Sequence, residues 1–354
     1  MQPIQTEITD EKLVFYLSVA QISFLDFNQK KNLTKNLDSP HSLALQSIEE
    51  IFKLAGCGIK QTRSEWNGLE CLRIANSVVR QCKRLGIKIL LHDDAAYPEA
   101  LRQIADPPFI LFVRGDESLL TKRCLSVVGT RRLSQRGKEA ARSFASAAVL
   151  DGCNVVSGLA AGADTYAHLG ALDAYYDCAA NGRDLSGLGR TIAVLPGAID
   201  NIVPYTNKRL AAQILQSGGC LVSEYRPGSG TGKWQFIARN RVVAGLSEAV
   251  VVIEAPAGSG ALITADFALE DGRDLFFHEA AFGDAASRIS GMVRANLEKE
   301  FAAGRVSKYK MENTPEKFLS AGAPVIKDYK DYCAALVEMP GTRSAVPLQG
   351  ELFT

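Results

Sequence analysis

CLSVVGT (124–130), CNVVSG (153–158), TIAVLPG (191–197), GCLVSEY (219–225) and AVVVIEAP (249–256) decide how this chain folds. Each is a short apolar run closed by Gly or a polar turn. A strand with one face in water would alternate polar and apolar residues. These runs do not alternate, so both of their faces must be covered. Between most of them lie stretches of helical length, such as SQRGKEAARSFASAAVLDG and NKRLAAQILQSGG. Buried strands alternating with helices predict an α/β fold: a doubly wound, mostly parallel, Rossmann-like sheet with helices on both faces.

Upstream of this series, GIKILLH and PPFILFVRGD read as two further strands, which place the start of the sheet domain at about residue 87. Residues 1–86 read instead as short helices. FYLSVAQI, SLALQSIEEIFKLAG and LECLRIANSVVRQCKRLG space their apolar residues by three and four, and the last two end at Gly. This divides the chain into a helical domain at 1–86, a sheet domain at 87–338 and a short tail at 339–354. Two segments look like insertions. DAYYDCAANGRDLSGLGR (173–190) is expected to put a polar loop between a helix and its strand, and 282–313 is charged and partly helical.

The 354 residues carry 40 Lys+Arg against 39 Asp+Glu, a net charge of +1. That balance excludes a generally basic nucleic-acid coat and a polybasic membrane binder, but not a local basic site. No apolar run is long enough for a transmembrane helix, and the acidic start does not fit a secretory signal. The eight cysteines never fall as CxxC, and the four histidines are scattered. Reduced buried thiols in a cytoplasmic protein, with no metal and no cofactor, are the expectation.

In such a sheet, ligands bind at the carboxyl ends of the strands. The turn after the first strand of the series is Gly129-Thr130-Arg131-Arg132-Leu133-Ser134, where Gly129 allows a tight turn, Ser134 can cap a helix and Arg131 can face an anion. The next is Ser157-Gly158-Leu159-Ala160-Ala161-Gly162-Ala163-Asp164, whose small residues would let backbone amides approach a ligand. Two phosphate motifs fail. The dinucleotide fingerprint GxGxxG does not follow the first strand. In the P-loop-like stretch before Lys233, the first required Gly is Pro227, and Trp234 replaces the Ser/Thr that would hold magnesium.

The strongest constellation is Lys233-Trp234-Gln235-Phe236-Ile237-Ala238-Arg239-Asn240-Arg241. Residues 226–241 hold four basic residues and no acid, 130–142 hold five basic residues and one acid, and 254–274 hold five acids and one Arg. Cations interleaved with rings suit a single strand, since cations meet phosphates and rings stack on bases. The alternative is that the rings are core and the arginines pair with nearby acids. Both readings stand on pattern alone. Asp164 and His168, in DTYAH, could suggest catalysis, but hydrogen bonding within the loop network is the expectation.

GTRRLSQRG, SGLAAGADTYAHLGAL, TIAVLPGAIDNIVPYTN, SEYRPGS, FIARNRVVAGLSEAVVVIEA and GSGALITADFALEDGRD, in this order, resemble the DNA-processing protein A (DprA, or Smf) family. The helical N-terminus fits that family's small SAM-like (helix-hairpin-helix type) domain by position. The resemblance implies an extended Rossmann fold that binds single-stranded DNA, protects incoming DNA, forms homodimers and helps load RecA in natural transformation, without catalytic residues. By position, the turn Gly129-Thr130-Arg131 supplies the family's phosphate-contacting arginine. Ser157, Gly158 and Gly162 match its small-residue loop. Lys233, Phe236, Arg239, Asn240 and Arg241 match its basic-aromatic DNA-binding stretch, and Gly258, Ser259 and Gly260 match a further strand-end turn. This chain departs from the pattern at Val203-Pro204 (Tyr-Pro in the family), at Phe236-Ile237 (Phe-Pro), and at FFHEAAFGD, which replaces a Val-Pro-Gly. The family's C-terminal winged-helix domain is expected to be absent. The competing reading is a nucleotide-binding enzyme or sensor of the lysine-decarboxylase-like Rossmann group (phosphoribohydrolases). Their PGGxGTxxE is missing, and the nearest stretch, Ala257–Thr264, lacks its catalytic Glu.

Overall fold

The structure, a computed structural model, describes residues 9–58 and 66–338. The tail at 339–354 lies outside the described residues. The chain opens with helices α1 (Asp10–Ala20), α2 (Phe27–Asn36), α3 (Pro40–Ala44), α4 (Ile48–Leu54) and α5 (Gly68–Leu85), followed by β1 (Ile87–Leu91), α6 (Glu99–Arg102) and β2 (Ile110–Gly115). The alternating part then runs β3 (Cys124–Val128), α7 (Gln135–Leu150), β4 (Asn154–Ser157), α8 (Ala163–Ala180), β5 (Thr191–Val194), α9 (Lys208–Gln216) and β6 (Cys220–Ser223). It continues through α10 (Lys233–Gly245), β7 (Ala249–Val252), α11 (Gly260–Glu270) and β8 (Asp274–His278). Helices α12 (Asp284–Ala302), α13 (Lys308–Glu312) and α14 (Pro315–Ser320), strand β9 (Val325–Ile326) and α15 (Tyr329–Glu338) complete it.

The nine strands form one sheet in the order β1-β2-β6-β5-β4-β3-β7-β8-β9. Pairing is parallel from β6 to β9, and β1 and β2 join antiparallel at one edge. The expected doubly wound α/β fold is present. Its strands are buried on both faces because successive side chains enter different clusters: Leu125 and Val127 meet α7, α8 and α15, while Cys124 and Val128 face α10, α11 and α14. The N-terminal helices cover the β1-β2-β6-β5 end of one face, where Phe15, Phe52 and Val78 share a hydrophobic cluster with Phe112, Ala193 and Leu221.

Two local readings differ from expectation, and one helix was not singled out. SLALQSIEEIFKLAG is not one helix. Ser47 and Glu50 form a capping box that starts α4 afresh, so the chain breaks after α3. The polar stretch FNQKKNLTKN forms α2, held by its own Asp26–Gln29 capping box and one buried residue, Leu33, and so lacks an apolar stripe to betray it. The segment expected as a loop from 173 is helical to Ala180. Ala174 and Cys178, one turn apart, keep α8 buried through that stretch.

Strand β3 is flanked by β4 on one side and β7 on the other, so the chain's winding direction reverses between β3 and β7. That reversal leaves a crevice at the carboxyl ends of the two strands, where open α/β sheets bind ligands. No described helix is long and apolar enough to cross a membrane.

Candidate nucleic-acid interface

A cleft of about 820 Å³ opens at this crevice, within the range that holds small organic ligands. Its floor is made by the turn after β3, with Gly129, Thr130 and Arg131, and by the Gly258-Ser259-Gly260 turn ahead of α11. The first half of α10, which presents Phe236, Ile237 and Asn240, and helix α12 supply its walls.

The turns after β3 and β4, which in many Rossmann folds help hold a ligand phosphate, are bonded by the protein's own carboxylates. Ser134 caps α7, its hydroxyl accepting from the Gly137 amide at 3.0 Å. Glu254, at the end of β7, accepts hydrogen bonds from the amide of Ser134 at 2.9 Å and from its hydroxyl. The carboxylate sits so close to the helix that a side chain at Gly137 would strike it. Asp164, in the first turn of α8, reaches back to the loop after β4, accepting from the amides of Gly158 (3.1 Å) and Ala160 (3.2 Å). A ligand phosphate bonded to these same turn amides would have to displace the two carboxylates.

The glycines expected to admit a ligand instead admit the protein. A Cβ at Gly129 would collide with Ala163 and the Glu254 backbone, one at Gly158 with the Arg239 guanidinium, and one at Gly162 with the backbone of Thr130 and Arg131. Gly162 also has φ +85°, which a side chain would strain. Ser157 is buried and donates to Val127 O at 2.7 Å. Thr130 is tied at both backbone groups, donating to Glu254 O at 2.6 Å and accepting from the Ala163 amide at 3.1 Å.

Within the basic-aromatic stretch, the two possible roles divide residue by residue. Arg239 is only 5% exposed, and its guanidinium donates to the carbonyls of Gly158 and Val194 beneath the cleft. Burial pulls its pKa down despite nearby Asp164, whose own pKa burial pushes up. Arg241 grips both oxygens of Glu224 at 2.6 Å and reaches Asp106 at 2.9 Å. Asn240 donates to Gly260 O at 3.1 Å, tying α10 to the α11 turn. By contrast, Arg131 and Lys233 are exposed and carry no ion pair among the described residues. The Arg131 guanidinium lies 5.7 Å from the centre of the Phe236 ring, a cation–π distance. Trp234 is 65% exposed beside Lys233, with its ring edge-on to Tyr225 at 6.1 Å. The cleft thus carries Arg131, Arg132 and Lys310 without ion pairs among the described residues and a half-buried ring, with Lys233 and an exposed indole at the start of the same helix as that ring.

A profile of the family described as DNA recombination-mediator protein A matches residues 88–331. The chain belongs to that family. Protein Smf of Borreliella burgdorferi is 32% identical over 75% of this chain and 75% of its own length. DNA processing protein DprA of Bacillus subtilis is 36% identical over 56% of this chain and 63% of its own length. The X-ray structure of DNA processing protein A from Streptococcus pneumoniae superposes with a TM-score of 0.64 at 27% identity, covering 92% of this chain and 98% of that one. The fold is therefore that of a solved DprA, and the family expected from the motifs is the one found.

As a DprA family member, this chain adds residues that the motifs did not single out. Arg132 is exposed at the cleft, and Ile237 stands half in solvent on α10. Ile289, Met292, Val293, Asn296, Leu297 and Glu300 of the 282–313 insertion make the α12 wall. Their spacing of three and four residues was visible in the sequence, but which face of a lone charged helix turns inward depends on what it packs against. Asp164 and His168 are both buried. His168 Nδ1 lies 2.7 Å from the Thr191 hydroxyl, and burial lowers its pKa to about 3.

Proposed function

We propose that this DprA family protein binds single-stranded DNA across the carboxyl ends of β3 and β7, Arg131 and Lys233 taking phosphates and Phe236 a base. The observation that carries this is the exposed, unpaired Arg131 lying 5.7 Å from the centre of the accessible Phe236 ring at the switch point, with Lys233 exposed about one turn earlier on the same helix. Cations supply sequence-independent attraction and rings stack on any base, so binding should be weakly selective and salt-sensitive. Trp234, exposed beside Lys233, offers a second platform. Gly129, Thr130, Ser157, Gly158, Gly162, Arg239, Asn240 and Arg241 then serve the site from below, holding the loops that aim these three groups.

Protection of incoming strands, loading of the recombinase RecA and homodimerisation belong to the same proposal through the family, with the protein acting as a mediator and not as an enzyme. The division into a helical domain at 1–86 and a DNA-binding domain at 87–338 is part of this reading, as is a cytoplasmic location. A phosphoribohydrolase is disfavoured, because Ala257–Thr264 lacks that group's catalytic Glu, and Glu254 and Asp164 already hold amides of the turns after β3 and β4.

Fluorescence anisotropy with a labelled single-stranded oligonucleotide tests the site. Phe236→Ala is expected to cost about 1–3 kcal/mol of binding, and Arg131→Ala and Lys233→Ala should each weaken it while leaving the melting temperature in place. Unchanged affinity in all three variants would sink the proposed site.

A further inference from the structure

The carboxyl edge of the sheet continues beyond the cleft. Strands β4, β5 and β6 run parallel to β3 in the order β6-β5-β4-β3, so the loops that follow them open on the same side as the Gly129 turn. These loops are tied to one another and to the cleft. After β5, the turn Tyr205–Asn207 is fastened to the loop after β4 by the buried Asn207 side chain, which donates to Leu159 O at 2.9 Å and to Ala160 O at 3.3 Å. Ala160 itself lines the cleft. After β6, the Ser223 hydroxyl donates to Gly197 O at 2.6 Å, and the Gly228 amide donates to Asp200 Oδ1 at 3.0 Å. Tyr205 is therefore held at a fixed place on the edge, one loop away from the cleft lining.

This edge is positive and aromatic. Tyr205 is 78% exposed, with Lys208 Nζ 5.5 Å from the centre of its ring. Lys208, Arg209 and Arg226 carry no ion pair among the described residues. Residues 195–234 include two acids, Asp200 and Glu224. Glu224 is neutralised by Arg241, and Asp200 accepts from the Gly228 amide and from Gln81 of α5. A single exposed ring on a surface needs no explanation. A ring beside a cation, pinned by a buried side chain to the loop that lines the cleft, is what a strand running along the edge would meet next. From β3 to β6 the edge spans three strand spacings, about 14 Å, room for more than one nucleotide. A single strand fits it better than a duplex, whose stacked bases offer no free face to a ring.

We propose that the strand held in the cleft continues over the loops after β4 and β5 and stacks a further base on Tyr205, with Lys208 and Arg209 drawing its phosphates to that side. This rests on the single-strand reading above and lengthens the site beyond Arg131 and Phe236. The test measures the affinity of the full-length wild type, Tyr205→Ala, Tyr205→Phe and Phe236→Ala for oligo(dT) of about 4 to about 20 nucleotides, a range that brackets common single-strand site sizes. Tyr205→Ala should match the wild type on the shortest oligonucleotides and bind the longest about fivefold or more weakly. Tyr205→Phe, which keeps the ring, should follow the wild type throughout, and Phe236→Ala should weaken every length. Tyr205→Ala following the wild type at every length would overturn the extended path, as would an equal loss at every length, while the Phe236 response still upholds the cleft. Absence of binding by the wild type at any length would overturn both.

Discussion

At the scale of single residues, neighbouring side chains with the same charge do opposite work. Lys233 and Arg239 sit on the same helix, but Lys233 points to solvent and Arg239 spends its donors on two buried carbonyls. Losing the first should be felt in binding. Losing the second would leave carbonyls unsatisfied and the Gly158 loop unsupported, a loss of stability. His168 offers a measurable consequence of such burial. Its folded pKa is depressed from about 6.5 to about 3, because the charged form cannot be solvated where it lies. The unfolded chain therefore takes up a proton near pH 6.5 that the folded protein refuses until about pH 3. Stability from this residue is present in full above the unfolded pKa and falls by up to about 1.4 kcal/mol per pH unit below it. Urea midpoints measured from pH 7.5 to 4.5 should decline less steeply in His168→Gln than in the wild type. Some slope should remain, because burial depresses His92 and His278 as well.

At the scale of elements, the acid-rich segment 254–274 shows how far composition can mislead. Its five acids suggest a negative surface, yet Glu254 is inside, capping the approach to α7, and Asp266 clamps α13 and the start of α14 onto α11. Removing that clamp should loosen one piece of the protein. In Asp266→Ala, hydrogen exchange is expected to quicken over residues 307–320 and along α12, with β3, β4 and β7 unchanged, since the side chain's hydrogen bonds run to Tyr309, Asn313 and Lys317. Equal protection across the insertion in both proteins would mean that the segment is held by other contacts. The strands themselves were legible because a double-faced apolar run has few other uses. Helix α2 was not, as its stability comes from a capping box and one leucine rather than from an apolar stripe.

At the scale of the molecule, a net charge of +1 conceals a local imbalance smaller than segment counts imply. Of the nine basic residues in 130–142 and 226–241, Arg136 pairs with Glu279, Arg142 with Asp173 and Arg241 with Glu224, while Arg239 is buried and Lys138 lies over the Tyr166 ring. Arg131, Arg132, Arg226 and Lys233 remain without ion pairs among the described residues. If each meets one phosphate, the logarithm of the single-strand affinity should fall with the logarithm of salt at a slope of about −3. A titration from low to physiological salt checks this, and a flat response would show that phosphates are not what the face recognises.

The sequence alone determined the strand series, the location of the chemistry at the strand ends and the family, because each rests on local pattern: runs apolar on both faces, glycine turns and motifs in order. It also marked Arg131, Lys233 and Phe236. Only the tertiary structure decided which cations reach solvent, since pairing and burial depend on partners as distant in sequence as Arg241 and Asp106. It alone revealed that the turns after β3 and β4 are held by Glu254 and Asp164, and that the insertion after β8 returns as a wall of the cleft. A sequence names the charges, and long-range packing decides which of them remain free for a ligand.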